Sequence, residues 1–516
     1  MSGRSNDTSC DRADREDRPS GSKSRVFGTP VVLVVAMASV GCGVGRSVDE
    51  RINAAVPPPP ALVASKTALD ALARAQPQVA GELEAAYKAR MQERARVCAR
   101  GYLPSAFASA SRIHNDLKDK DCFARVDAEL KAWLDARRIG LLLAASPLRA
   151  IPSLPPTVYQ LGGAIESVDF ASNAGVALVQ EAGRYEAIDL ATGATIARGT
   201  APAGYAHALS SNGRVFALGG SGGVEIRETE SGAVLATIPR IGPAEFHWVG
   251  NAGAIWKPGW MPDRKDSQQR GPVFLDFGSG VQTPIPVATG VVNRVIAQPG
   301  AAGRYILLSD SKLVQLQLAK NGDHLEAQVV AERKAPPMAT WATHSGGLTS
   351  DESLYFGSGT HLEMLHLATL STEDMPLDPL RLKDAVATPD PDRLLVSGDF
   401  PSVPGQGVEF ALYSLRDRSM ARVDPARLPS DRVVYVAPLR RNAAIQDARI
   451  VLLDGLQAAA ALPINDYLEL REQAADLRAH PGQVHALQNA APEPLAAPPP
   501  PVTTANAAEQ AERDNK

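Results

Sequence analysis

The chain has 516 residues, 44% of them apolar and 21% charged, with a formal net charge of −4. That length accommodates more than one domain and a large buried core. The nearly balanced charge and the lack of a basic stripe exclude an electrostatic footprint for nucleic acid, which is set aside as a partner.

The first segment with a clear character is "VVLVVAMASVGCGVG", Val31 to Gly45. A positive stretch, "KSRVFGTP", precedes it, and Val26 to Val40 is an apolar run of secretory-signal length. As a permanent span it is poor. Val26 to Gly45 just reaches the roughly 20 residues that a transmembrane helix needs, and Pro30 and several glycines weaken it.

The small residues "ASVG" directly before Cys42 resemble the lipobox of bacterial lipoproteins. The resemblance implies that residues 1–41 are a signal peptide and that Cys42 becomes an acylated N-terminus, anchored to a membrane rather than spanning it. Gly43 follows in place of an aspartate, which by the same resemblance implies outer-membrane sorting and a body facing the periplasm. Ser39 stands where leucine is commonest, and the leader carries the mixed charges "DRADREDR". An uncleaved inner-membrane anchor is the alternative, and it too places the body outside the cytoplasm.

Two further cysteines, Cys98 and Cys122, form an even pair, which in an oxidising compartment argues for one disulfide. Such a bridge would contribute about 3 kcal/mol; two unrelated buried thiols are the competing reading. Neither has a second ligand at metal-binding spacing. "AAVPPPPA", Ala54 to Ala61, reads as a Pro-rich linker within residues 42–65. From residue 66 to 150 the spacing is helical, with Val79, Leu83, Tyr87 and Met91 on one face and Phe123, Val126, Leu130, Trp133 and Leu134 on another. A Cys98–Cys122 bridge would staple these two faces into a helical hairpin.

After "SPLRAIPSLPP" the periodicity shortens to strands separated by turns. One unit recurs: a turn with Asn, Asp or Gly, a strand, a second turn and a strand ending in a polar hairpin. The copies "SNAGVALVQEAGRYEAIDLATGATIARG" from Ser172 and "SNGRVFALGGSGGVEIRETESGAVLATI" from Ser211 match closely. Looser copies begin at Gly250, Ala301, Ser350, Asp390 and Ser430. An interval of roughly 40 to 48 residues is that of four-stranded propeller blades. The units "YEAIDLATGATIARG" and "VEIRETESGAVLATI" resemble those of WD-repeat and quinoprotein-type β-propellers, without the Gly-His and Trp-Asp signatures. The resemblance implies a mainly β fold, a seven-bladed propeller over residues 157–463 with six or eight blades as alternatives and stacked β-sandwiches as the competing architecture.

Chemistry is sparse. "GGSGG", Gly219 to Gly223, is a Gly-x-Ser-x-Gly match around Ser221, yet a strand follows where a nucleophile elbow needs a helix. His361 and His366 in "HLEMLH" point to opposite faces of a strand. Asp189, Glu228 and Asp276 fall in repeat-equivalent turns, where bonding backbone amides is the expected role. No cofactor and no metal is assigned. The insertion "WKPGWMPDRKDSQQRG" carries Trp256, Trp260, Met261 and Arg264, residue types that anchor interfaces, and these four are the candidate partner-binding rim. A second insertion, "GDFPSVPGQGVEF", shares its face if both join equivalent strands. Residues 464–480 read as a C-terminal helix and 481–516 as a Pro/Ala-rich tail. The sequence thus favours a noncatalytic cell-envelope lipoprotein whose propeller is a platform for an envelope protein, similar in architecture to the propeller lipoprotein of the outer-membrane β-barrel assembly machinery. A periplasmic quinoprotein-like or other propeller enzyme acting at the central channel is the alternative.

Overall fold

The computed structural model describes residues 47–463 apart from 75, 101, 103–107, 118–119, 202–206, 221–222, 240–245, 257–270, 290–291, 310, 336–346, 349–352, 359–360, 378–380, 400–408, 424–427, 431 and 457–461. The expected leader, C-terminal helix and tail therefore lie outside the described residues. Five helices come first: α1 (Val48–Ala55), α2 (Pro60–Ala73), α3 (Pro77–Cys98), α4 (Ala110–Asp116) and α5 (Lys120–Ala144).

The expectation of a linker over 42–65 is corrected, because helices begin at Val48 and pack. Ser47 and Glu50 form a reciprocal capping box. Pro60 takes the first turn of α2, where a missing N–H leaves nothing unpaired. Ile52, Ala55 and Leu62 are buried, so the proline run is only the corner between two core helices. The anticipated stripes are present, with Leu83, Phe123, Leu130, Trp133 and Leu134 buried.

Two linked devices hold the helices together. Cys98 and Cys122 are disulfide-bonded, joining the end of α3 to the start of α5 as their spacing anticipates. One turn earlier, the fully buried Arg94 grips Asp127 through Nε and Nη2 at 2.5 and 2.9 Å. Its Nη1 donates to Asn53 Oδ1 and the Val56 carbonyl at 2.8 and 2.9 Å, and its guanidinium lies 4.7 Å from the Phe123 ring centre. One side chain thus ties α1, α3 and α5 together with four of its five N–H donors bonded, the condition under which a buried charge is tolerated.

Seven antiparallel sheets follow. Strand β1 (Val158–Gln160) precedes blade 1, which is β2 (Ile165–Phe170), β3 (Val176–Glu181), β4 (Arg184–Asp189) and β5 (Thr195–Thr200). Blade 2 is β6 (His207–Leu209), β7 (Val215–Gly220), β8 (Gly223–Glu228) and β9 (Val234–Pro239). Blade 3 is β10 (Phe246–Val249), β11 (Gly253–Trp256), β12 (Val273–Asp276) and β13 (Gln282–Pro284). Blade 4 is β14 (Val292–Ala297), β15 (Arg304–Ser309) and the long hairpin β16 (Lys312–Asn321) with β17 (His324–Lys334). Blade 5 is β18 (Gly347–Leu348), β19 (Ser353–Ser358), β20 (His361–His366) and β21 (Ser371–Pro376). Blade 6 is β22 (Arg381–Ala387), β23 (Arg393–Asp399), β24 (Glu409–Ser414) and β25 (Ser419–Arg422). Blade 7 is β26 (Val433–Val436), β27 (Arg441–Gln446) and β28 (Arg449–Leu452), and its fourth strand is β1. A fifth strand, β29 (Leu462–Pro463), adds to the edge of blade 6 on β25.

The sheets are the blades of a seven-bladed β-propeller. Each successive pair shares one apolar cluster, and the last of these joins blade 7 to blade 1, closing the ring. First strands meet first strands around the axis, β2 with β6, β6 with β10 and β10 with β14. The seventh copy differs from the others in phase. Its turn at Ser430 precedes the innermost strand, whereas in the other six the turn precedes the second strand. Blade 7 is therefore one strand short, and the register Val158↔Val451, Tyr159↔Ile450, Gln160↔Arg449 fills the gap.

Up-and-down strands put the first–second and third–fourth turns on one face of the ring and the remaining connections on the other. Helix α5 occupies the first face. Its apolar residues Ala136, Ile139, Leu142 and Leu143 enter the core between blades 2 and 3. The Asn212 amide donates to the carbonyls of Leu142, Leu143 and Ala145 at 2.8, 2.9 and 3.2 Å, satisfying the C-terminal turn that would otherwise be orphaned. A Cβ on Gly140 would lie 3.0 Å from the Phe277 carbonyl oxygen, so a larger residue here would require the third blade to shift by a few tenths of an ångström.

Removing Arg94 alone strands the Asp127 carboxylate in the core. Arg94→Met should therefore destabilise by about 3–5 kcal/mol, and Arg94→Met with Asp127→Leu should recover most of that loss. Chemical denaturation of the three proteins, followed by the loss of helical circular dichroism, measures both differences.

Candidate functional site

The face opposite α5 carries the connections between second and third strands. These are two residues long in blades 1, 2, 4, 5 and 7, but run over 257–272 in blade 3 and 400–408 in blade 6. Both insertions join equivalent strands, and the strand ends they connect open on the same face, away from the helices. Of the four residues expected at a rim, Trp256 is corrected: it ends β11 and is 3% exposed, within the cluster that includes Phe246 and Leu275. A second strand is packed on both sides, so the indole fills space between blades and serves no exposed rim. Trp260, Met261 and Arg264 lie outside the described residues, as do Cys42 and Ser221.

Asp189 and Asp276 bond backbone amides as expected, whereas the Glu228 carboxylate takes a serine hydroxyl, and Asp189 and Glu228 also receive arginines of the helical segment. Asp189 accepts from Ala191 N at 2.7 Å and pairs with Arg149 at 3.5 Å. Glu228 accepts from the Ser231 hydroxyl at 2.7 Å and pairs with Arg138 at 3.3 Å. Asp276, 2% exposed, accepts from Gly278 N, the Ser279 hydroxyl and Leu325 N at 2.7, 2.6 and 2.9 Å, while Arg137 donates to the Gly278 carbonyl. The Leu325 bond fastens the tip of the blade 4 hairpin to the third blade. All three carboxylates are thus committed to structure.

Polar groups without a sequence-derived role lie on the innermost strands β2, β10, β14 and β22, with Tyr355 on the second strand β19. Asp169 accepts from Leu209 N at 2.7 Å across blades 1 and 2. Nε2–H of His247 donates to the Val292 carbonyl at 3.2 Å, and burial holds its pKa down at about 4. Burial also lowers the Arg294 pKa. The Tyr355 hydroxyl donates to the Ala385 carbonyl at 2.7 Å, and burial followed by the nearby Asp384 charge raises its pKa. Asp384 accepts from Ala385 N at 2.8 Å, yet burial pushes its carboxyl up to about 6. The only signal available was a polar residue inside short apolar runs such as "FHWV" and "KDAVA". These are polar groups held between neighbouring blades, and the shifted protonation of His247 and Asp384 is the feature that an enzyme reading would need.

His361 and His366 stand at opposite ends of β20. Nδ1 of the first lies 3.4 Å from Asp374, and Nδ1 of the second lies 3.1 Å from the Ser353 hydroxyl. Among the described residues no group of three or more His, Cys, Asp or Glu could hold a metal ion, and no helix is long and apolar enough to cross a membrane.

No family model matches the chain, and no curated protein matches it. Among solved structures it is similar to the β-propeller domain of Cps50 (Swd1) from Myceliophteria thermophila at 11% identity and a TM-score of 0.40, covering 58% of this chain and 99% of that one. It is also similar to a chain of the Mitotic Checkpoint Complex at 13% identity and a TM-score of 0.39, covering 61% and 95%.

The Asp384 shift has a defined sign. Its folded pKa is raised from 3.8 to about 6, so the native state holds the proton more tightly, and this contribution is lost as pH rises from about 4 through 6. His247, depressed from 6.5 to about 4, contributes in the opposite direction over the same window. Asp384→Asn keeps the acceptor for Ala385 N and should be the more stable protein at pH 7 by about 2–3 kcal/mol, with the advantage shrinking towards pH 4. Thermal denaturation of both proteins across that range checks it.

Proposed function

We propose that this chain is a noncatalytic cell-envelope lipoprotein, tethered through Cys42, whose propeller presents one face to an envelope protein. The observation that carries the reading is the division of the ring: helices occupy one face, while the strand ends joined by both long second-to-third-strand insertions lie on the other. Interfaces are built on loops held by rigid scaffolds, and Trp260, Met261 and Arg264 supply the anchoring residue types. The tether rests on the resemblance of "ASVG" before Cys42 to a lipobox and on the Cys98–Cys122 bridge, which fits an oxidising compartment.

A second reading, an enzyme acting at the channel, draws on Asp384 and its raised pKa. Crosslinking in the native envelope followed by mass spectrometry separates the two. Trp260→Ala should lower partner capture at least tenfold with an unchanged melting temperature, Cys42→Ala should release the chain from the membrane fraction, and Asp384→Asn should leave capture intact. Equal capture by Trp260→Ala would overturn the assignment of that face.

A further inference from the structure

We propose that the cleft between α5 and the edge strand β9 binds an extended peptide, which adds to blade 2 as a fifth strand. The cleft has a volume of about 360 Å³ and is walled by Ala132 and Ala136 of α5, Val234 and Ala236 of β9, and Leu275 and Phe277 of blade 3. It is continuous with an interface already built, because Ala136, Leu275 and Phe277 belong to the buried core where α5 wedges between blades 2 and 3. The cleft is the open end of that core. Its helix wall is low, since Ala128, Ala132 and Ala136 recur every fourth residue, and Val234 on the opposite wall is 46% exposed.

Two observations select a peptide strand as the occupant. β9 is the edge of its sheet, so its outer backbone N–H and C=O groups offer a hydrogen-bonding edge in a cleft lined by apolar residues together with Lys131, Asp135, Thr237 and Gln282. The equivalent edge in blade 6 already takes such an addition, with β29 pairing on β25 through Ser419↔Pro463 and Met420↔Leu462. A helix beside an open strand edge is the geometry in which main-chain pairing gives affinity and alternate side chains give selectivity. Lys131 and Asp135, 2.6 Å apart with Ser65 bonded to Asp135 at 2.8 Å, fix a polar mouth, while the floor takes small apolar side chains. The inference rests on reading the propeller as an interaction platform, and places a second site on the face opposite the insertions.

The test pans a phage-displayed library of random twelve-residue peptides against the full-length protein. Selected peptides should alternate small apolar and polar residues and slow amide exchange over Val234–Ile238. They should bind Ala132→Trp at least tenfold more weakly, and lose binding when alternate backbone amides are N-methylated. Ala132 is solvent-exposed, so the fold should tolerate the indole; Ala128→Trp serves if it does not. Equal binding to the variant, no selected peptide, or indifference to N-methylation would overturn the proposal. So would a concentration-dependent dimer abolished by Ala132→Trp, which marks a second copy as the occupant, or an apolar dye held where no peptide binds. Failure here with Trp260-dependent capture intact sinks the cleft alone, whereas failure of both sinks the platform reading.

Discussion

A four-stranded sheet that is apolar on both sides has no stable existence alone, and that constraint organises this molecule. Strand β3 is buried along its entire length, which requires a neighbour on each face. The ring supplies it through seven shared clusters, and the cluster between blades 7 and 1 includes Tyr159 of the chain's first strand, which completes the last blade. Tyr159 is the pin of that closure. It is 1% exposed, and its hydroxyl donates to the Leu190 carbonyl at 2.9 Å. Backbone bonds from Leu161 N to Ala448 O and from Leu452 N to Thr157 O, both 2.8 Å, secure its flanks.

Because the connection from α5 to β1, residues 145–157, is itself bonded to the blades, closing the ring and placing the helices are one problem. The connection runs tight against the turns of blades 1 and 2, with Leu148 N donating to Asn212 O at 2.9 Å and Gly175 N to Arg149 O at 3.0 Å. Arg137, Arg138 and Arg149 then meet the third-to-fourth-strand turns of blades 3, 2 and 1 in order. These partly exposed pairs set register more than they add stability. The stability comes from apolar residues of α5 buried between two blades, and from the disulfide and the Arg94–Asp127 pair that keep the helices a unit.

The propeller was legible in the sequence where turn chemistry is explicit. The Thr-Gly and Ser-Gly turns of blades 1 and 2 place Gly193 and Gly232 at φ +73° and +68°. Blades 5 and 6 keep the same left-handed corner with Leu370 and Arg418, at φ 59° and 57°, so the fold is retained after its glycine marker has gone. The phase shift in blade 7 was hidden because the copy at Ser430 keeps the interval while changing which strand it names. Helix α1 and the first half of α2 were hidden by the prolines between them. Trp256 read as part of an exposed insertion, since a tryptophan at a strand end carries no sequence mark of which way the packing turns. The polar residues of the axial strands were hidden because the recurring unit begins at the turn that follows those strands and leaves them between copies.

The geometry divides labour between two faces: one is spent on helices, the other holds the strand ends joined by long insertions. That division depends on β1 closing blade 7. The most direct measurement introduces Val158→Cys with Val451→Cys, a directly opposed pair in the closing register. Flanking hydrogen bonds from Leu452 N to Thr157 O make it a non-hydrogen-bonded pair, in which side chains approach most closely. The account predicts a disulfide between these two positions in the non-reduced digest and a raised melting temperature. Two free thiols in a folded protein would contradict the ring.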